Sequence, residues 1–298
     1  MKLRLFWISF VMFCLCLVYI DRFFLKKNDE FCIRNVLGSL PQNHDHQTVG
    51  IDSFLEEKKD EVFSQPFYYL AKGHQSYVFV SKDQKYVLKF YRFPSHMRPF
   101  PWLNHLLSRH FSKKRKAIEK YNLDKFTFTL NSFKIAKECL PEETGLLAIH
   151  LNKTNSLHKK VEIVDSLKHS YFVDLDSTLF VLQKKAHMIY PILQQTLQEK
   201  NFSAAKGILR SLFQLAQVSH AKGIVNHDAM IEKNFGWLNG KAIFIDIGRF
   251  EKEIKKEEEQ EMDFRKMIMP VIHWLKVQNE PFAKEIENEV NFYKSSSS

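Results

Sequence analysis

The sequence predicts an α+β fold with a strand-rich first half and a helical second half, preceded by an apolar N-terminus. Three observations carry this expectation. Aromatic and β-branched runs recur from Phe67 to Phe93 and again from Phe126 to Gln183. Helical spacing of apolar residues takes over beyond Lys185, and an uninterrupted apolar run from Leu5 to Ile20 opens the chain. At 298 residues, 45% apolar and 14% aromatic, the chain can bury a sizeable core as one large domain or two lobes of one. Twenty-seven Phe against nine Gly make that core aromatic-rich.

The apolar N-terminal run is longer than a usual signal-peptide core and slightly short of the about 20 residues of a full span. No small-residue cleavage site follows it, since the next residues are Asp21, Arg22, Phe23 and Phe24. Residues 1–24 are therefore expected to be an uncleaved membrane anchor rather than a cleaved signal or a buried helix. Orientation stays open, because Lys2 and Arg4 precede the run while Arg22, Lys26 and Lys27 follow it. Residues 25–61 read as a polar linker with one short helix. His44 and His46 in "PQNHDHQ" read as solvated linker residues rather than metal ligands. Cys14 and Cys16 lie in the apolar run, which leaves Cys32 and Cys139; that is neither a disulfide framework nor a zinc pattern.

"FYYLAKGHQSYVFVSKDQKYVLKFYRF" predicts three antiparallel strands, broken at Gly73 and at Ser81 to Gln84. A proline-broken stretch follows, then a helix from about Trp102 or Ser108 to Asn122. Strand signals return in "FTFTLNSFKIAKECL", "TGLLAIHL", "KVEIVDSLKHSYFVDL" and "TLFVLQ". The strand-rich lobe is thus expected over 62–185 and a helical lobe over 186–298. That second lobe begins with a helix in "AHMIYPILQQTLQE". Its next helix, "SAAKGILRSLFQLAQVSHAKG", has Ser203 as expected N-cap, apolar residues at 205, 208, 209, 212, 215 and 216, and Gly223 as C-terminal cap. Asn239-Gly240 between "FGWL" and "KAIFI" is a strong hairpin signal. The last 50 residues read as a charged run, a helix in "MIMPVIHWLKV", a short final helix and a serine tail.

The hairpin organises a set of oxygen-bearing side chains. Asn234 stands just before its first strand and Asp246 just after its second, so both are expected at one end of the ribbon. Asp228 lies in the loop between the capped helix and that ribbon. Phosphoryl transfer needs hard oxygen ligands for magnesium and a carboxylate to orient and deprotonate an acceptor hydroxyl. It also needs a lysine against the nucleotide phosphates, and Lys89 in "YVLKFY" sits on an expected buried strand. A lysine there needs a carboxylate partner on the following helix. Between Phe90 and Lys137 the one glutamate is Glu119.

These residues together resemble the protein kinase superfamily over about residues 62 to 298. "VLKF" is similar to its strand-3 lysine motif, Asp228 in "NHDAMIEKN" to its catalytic-loop aspartate, and Asp246 in "IDIG" to its metal-binding aspartate. The resemblance implies a bilobal kinase-like fold with ATP in the cleft. Lys89 would hold the α and β phosphates, Glu119 would hold Lys89, Asp228 would act as base, and Asn234 and Asp246 would bind Mg2+. Gly73 and Ser76 of "AKGHQSYVF" would contact phosphate. The sequence also departs from the family pattern. Asn226 stands where a histidine is usual, and His227 directly precedes Asp228. Asn234 follows Asp228 by six residues where five is the norm, and Lys233 occupies the expected slot. The phosphate-covering loop keeps only Gly73. These departures point toward a nucleotide-binding but slow or inactive member.

No long activation loop or peptide-substrate platform follows Gly248, so the outline is closer to the small-molecule and sugar kinases of that superfamily. The expected function is a membrane-anchored, ATP-dependent phosphotransferase acting on a sugar, lipid or other non-peptide hydroxyl, with its domain in the cytoplasm. The alternative is a pseudokinase that serves as a nucleotide- or partner-binding membrane scaffold. A net charge of +10 favours an anionic partner. In the segment 102–116, Trp102, Leu106 and Phe111 alternate with Arg109, Lys113 and Arg115, a mixture suited to an interfacial helix on anionic lipid. The alternative is that its apolar residues pack on the sheet. Nucleic acid is disfavoured as a partner, because no RNA or DNA motif accompanies the basic cluster.

Overall fold

A computed structural model describes residues 2–38, 53–94 and 112–295, with 2–5, 112–115 and 291–295 described by backbone alone. His44 and His46, the proline-broken stretch, residues 102–111 and the end of the serine tail lie outside the described residues. The fold is α+β. It divides into two compact units, residues 1–122 with 148–182, and residues 123–147 with 183–298.

The first unit opens with α1 (Lys2–Lys27), a single helix. Its stretch Phe6–Lys27 is long and apolar enough to cross a membrane, and none of the assessed apolar window is buried within the protein. At about 1.5 Å per residue, its 22 residues are long enough to cross the about 30 Å of a bilayer's hydrocarbon core. The polarity of 25–61 predicts a solvated linker, but its described residues, 25–38 and 53–61, include buried ones. Asn28, Phe31, Asn35 and Val36 are buried, and α2 (Ser53–Phe63) buries Leu55, Val62 and Phe63. Among the described residues of this polar run, Phe31, Val36 and Leu55 are buried, so average composition hid their place in the core.

β1 (Phe67–Lys72), β2 (Ser76–Ser81) and β3 (Tyr86–Tyr91) run antiparallel in chain order, as expected. α3 (Ser112–Cys139) and the short helix α4 (Pro141–Thr144) follow. Next come β4 (Leu146–His150), β5 (Lys160–Val164), β6 (Ser170–Asp174) and β7 (Phe180–Lys184). Together the strands form one seven-stranded sheet in the order β4-β7-β3-β2-β1-β5-β6. β1 pairs with β5 in parallel, and "KVEIVDSLKHSYFVDL" folds back as the antiparallel β5–β6 hairpin. Edge-on contacts of Phe31 with Tyr77, Phe79 and Tyr171 place the residues just after α1 in this unit's aromatic core.

In the second unit the largest correction concerns α3. Its helix runs on past Asn122 to Cys139, through a segment that alternates like a strand in "FTFT". Its buried residues in this stretch are Phe126, Thr129, Leu130, Ser132, Phe133 and Ala136. Spacings of three and four put these on one helical face, which no strand could do. The unit continues with β8 (His187–Met188), α5 (Ile189–Gln198) and α6 (Phe202–Ala221). α6 buries Ala205, Ile208, Leu209, Leu212, Leu215 and Ala216, as its periodicity predicts. Its N-cap is Asn201 rather than Ser203: the Asn201 side chain accepts from the Ala204 N–H at 3.1 Å, and Ser203 falls inside the first turn. Gly223, at φ +66, ends the helix in the left-handed conformation expected of it.

Five short elements then position the candidate site: β9 (Ile224–Asn226), the single turn α7 (Ile231–Asn234), β10 (Phe235–Leu238), β11 (Lys241–Phe244) and β12 (Phe250–Lys252). α8 (Glu257–Gln278) and α9 (Glu280–Ser295) complete the unit. β11, β10 and β8 make a three-stranded sheet, and β9 pairs with β12.

Candidate functional site

Asn239 and Gly240 take φ of +49 and +81, the left-handed pair a two-residue hairpin turn requires. Register follows from the turn, with Leu238 opposite Lys241 and Phe235 opposite Phe244. Asn234 and Asp246 therefore leave the ribbon at the same end. The Asn234 carbonyl accepts from the Ile245 N–H at 2.9 Å and lies 3.5 Å from the Asp246 nitrogen. Gly236 is needed here for space: a Cβ would come within 2.7 Å of both Ala186 and Ile245 side-chain carbons, against the strand that pairs with β10.

The loop carrying Asp228 is held from both sides. β9 pairs with β12 so that Asn226 faces Phe250, and the His227 N–H donates to the Arg249 carbonyl at 3.0 Å. Asn226 Oδ1 accepts from the Asp228 N–H at 2.9 Å, and Asn234 Nδ2 donates to the Asp228 carbonyl at 2.7 Å. The peptide groups flanking the Asp228 side chain are thus fixed by two asparagines. His227 is engaged elsewhere: its Nε2 lies 2.7 Å from Glu251 and its ring meets Phe128.

The six-residue step from Asp228 to Asn234 passes through α7. The N–H groups of Lys233 and Asn234 both donate to the Met230 carbonyl, so the chain winds through one helical turn. That turn buries Asn234 and leaves Lys233 exposed. Donation through Nδ2 leaves Oδ1 of Asn234 as its atom able to ligate a cation. Asp246 is exposed, and its Oδ1 accepts from the Gly248 N–H at 3.0 Å.

Ser132, which the sequence reading passed over, anchors the segment after Asp246. From its buried place on α3, Ser132 Oγ donates to the Ile247 carbonyl at 2.5 Å and accepts from the Phe250 N–H at 2.6 Å. The signal was a small polar residue, with Thr129, on a buried stripe of mainly apolar residues. It is invisible while the run is read as a strand.

Asp228, Asn226 and His227 line a cavity of about 470 Å³ whose far wall includes His220, Lys255 and Asp263. Lys255 Nζ bonds Asp263 at 2.6 Å, and this bond holds the ammonium above its ordinary pKa. Burial pushes the His220 imidazole down, with Lys255 adding to the effect and Asp263 opposing it. Asn226 Nδ2 is a buried donor with no acceptor among the described residues. The cavity therefore offers donors and acceptors of both kinds to a polar guest.

The other predicted residues belong to the first unit. Lys89 lies on β3 opposite Val78, Glu119 lies on α3, and both are half-buried and engaged. Gly73 and Ser76 close the β1–β2 turn, where the Gly73 N–H donates to the Ser76 carbonyl at 2.8 Å. That bond removes one backbone donor a phosphate-covering loop would use.

No family model matches this chain. No curated protein matches it either. Its chemistry rests on these residues, and a divalent cation can be tested against them. Among the described residues no group of three or more His, Cys, Asp or Glu is arranged to hold a metal. Asp246 and Asn234 each carry a hard oxygen at one end of the hairpin, the donor type Mg2+ takes.

Proposed function

We propose that the chain is a membrane-anchored, ATP-dependent phosphotransferase with a bilobal kinase-like arrangement, acting on a non-peptide hydroxyl acceptor such as a sugar or lipid headgroup. The observation that carries this reading is Asp228, a carboxylate on a backbone fixed by Asn226 and Asn234, at the wall of a cavity of about 470 Å³ lined by polar and apolar residues alike. A cavity of that size lies within the range of small-molecule sites. Asp228 would accept the acceptor's proton, and the unpaired Nδ2 of Asn226 would donate to an acceptor oxygen. Asp246 and Asn234 would hold Mg2+, which neutralises phosphate charge when bound. Lys89, supported by Glu119, would take the nucleotide phosphates. α1 would be a single-pass anchor with the domain on the cytoplasmic side, where ATP is found.

A second reading, a pseudokinase scaffold, draws on the Gly73 N–H being spent within its own turn and on the small ligand set around Asp246. Transfer of the γ-phosphate from ATP to a panel of sugars and polar lipids, using the full chain in detergent, separates the two. The enzyme reading predicts transfer that falls by about 10²-fold or more in Asp228→Asn. Nucleotide binding with no turnover on any acceptor favours the scaffold. An Asp228→Asn variant as active as the wild type removes Asp228 from the chemistry.

A further inference from the structure

α1 joins the sheet without slack. Asn28, the residue after the helix, donates through Nδ2 to Asp165 at 2.8 Å and accepts through Oδ1 from Ser166 at 2.7 Å. Ser166 Oγ also lies 3.5 Å from the Lys27 carbonyl, so the β5–β6 turn sits against the end of the helix itself. Asp29 pairs with Lys72 at 3.2 Å and Glu30 with Arg92 at 3.2 Å, and Tyr69 donates to Asp29 at 2.5 Å. Phe31 then enters the aromatic core. Buried and cross-bonded residues of this kind leave no hinge between the helix and the domain.

The turn at this junction is itself rigid. Asp165 Oδ1 accepts from the N–H groups of Leu167 and His169 at 2.9 and 2.8 Å, and the Lys168 N–H donates to the Asp165 carbonyl at 3.0 Å. Lys168 stands at its tip, exposed, at φ +72. Most acids near this junction are answered, Glu162 excepted, which accepts from Ser170 Oγ at 2.8 Å. Asp29 and Glu30 are neutralised by Lys72 and Arg92, and Asp165 is enclosed by hydrogen-bond donors. On α1, Asp21 is offset by Arg22. Lys26, Lys27 and Lys168 form no ion pair among the described residues, although Lys27 lies over the Phe23 ring at 4.9 Å.

We infer that the β5–β6 turn, together with Lys26 and Lys27, is a fixed seat for anionic phospholipid headgroups that holds the first unit in one orientation on the membrane. This rests on α1 being an anchor. A helix that spans the bilayer brings Lys27 to the headgroup level, and the turn bonded to the next residue, Asn28, must lie close to the same depth. Cations there gain from the negative surface potential of an anionic leaflet, over about a Debye length.

A nitroxide at Ser170→Cys, next to the turn, tests the seat in the full chain. The background has Cys14, Cys16, Cys32 and Cys139 changed to serine and an unchanged thermal melt. A label at Lys82→Cys, in the exposed β2–β3 turn, is the reference. Flotation with vesicles after an alkaline wash comes first, and failure to float overturns the anchor itself. For protein that floats, the label at 170 should be several-fold less accessible to an aqueous relaxation agent than the label at 82. That shielding should be greater in vesicles containing about 30% anionic lipid than in zwitterionic ones. Lys168→Gly should reduce the difference between lipids, and a Gly-Ser linker of about six residues between Lys27 and Asn28 should abolish the shielding. Equal accessibility at 170 and 82 in floating protein would overturn the seat, and equal shielding in both lipids would overturn its preference for anionic headgroups.

Discussion

Replacing Ser132 with alanine removes one oxygen and disconnects α3 from the segment that follows Asp246. Two bonds are lost at once, the 2.5 Å donation to the Ile247 carbonyl and the 2.6 Å acceptance from the Phe250 N–H. Ser132, Ile247 and Phe250 are all buried, so water cannot replace the missing oxygen. An unsatisfied buried N–H or C=O costs about 1–3 kcal/mol, and the carbonyl tolerates the loss better than the N–H. Together they give about 2–4 kcal/mol, far above the about 0.5 kcal/mol of an ordinary surface change. A unit of this size loses about 2–4 °C in Tm per kcal/mol, so a fall of roughly 5–15 °C is expected. The assay is a thermal melt of the full chain in detergent micelles. Ser132→Thr, which keeps the hydroxyl, should recover part of the loss. A Ser132→Ala melt within 1–2 °C of wild type, on the same scale, would refute the claim that this hydroxyl pins the loop.

Three further outcomes follow from the same geometry. Burial alone would raise the Asp165 carboxyl, but the His169 N–H and the Asn28 amide outweigh it and hold its pKa below the usual range. Its stabilisation is therefore full above about pH 4 and lost as pH falls through the lower folded value; melts from neutral to acid pH should show that decline, flattened in Asp165→Asn. Burial between Thr178 and Thr154 pushes His150 down, against the pull of the Thr178 carbonyl. Stability from the neutral ring is thus present above about pH 6.5 and lost below it, a slope that His150→Gln should remove. Lys168→Gly relieves a left-handed lysine and should raise stability by about 1 kcal/mol, read as a higher denaturation midpoint.

Residues whose local chemistry agrees with their final place were legible in the sequence. Asn239-Gly240 has few alternatives to a tight hairpin, and its register then fixes where Asn234 and Asp246 emerge. α6 showed its buried face because its apolar spacing runs unbroken from Ala205 to Ala216. "FTFTLNSF" misled because two of its aromatic residues alternate by chance, while its true stripe mixes Phe with Thr129 and Ser132. Polar residues on a buried face carry hydrogen bonds that hydropathy cannot register, and Ser132 was missed for that reason. Residues 28–38 were hidden the same way, since Asn28 and Asn35 are buried as bonding groups. The question of spacing at Asn234 had a local answer in a single helical turn, which the Met230 carbonyl closes but no motif announces.

Asp228, Asn234 and Asp246 are proposed to belong to a nucleotide-dependent phosphotransfer site. The most direct measurement is the shift in Tm of the full chain on adding ATP with and without Mg2+, in the wild type and in Asp246→Asn. The account predicts a metal-dependent rise in the wild type that is lost in Asp246→Asn while the melt without nucleotide stays the same. No rise in the wild type at millimolar ATP and Mg2+ would contradict it.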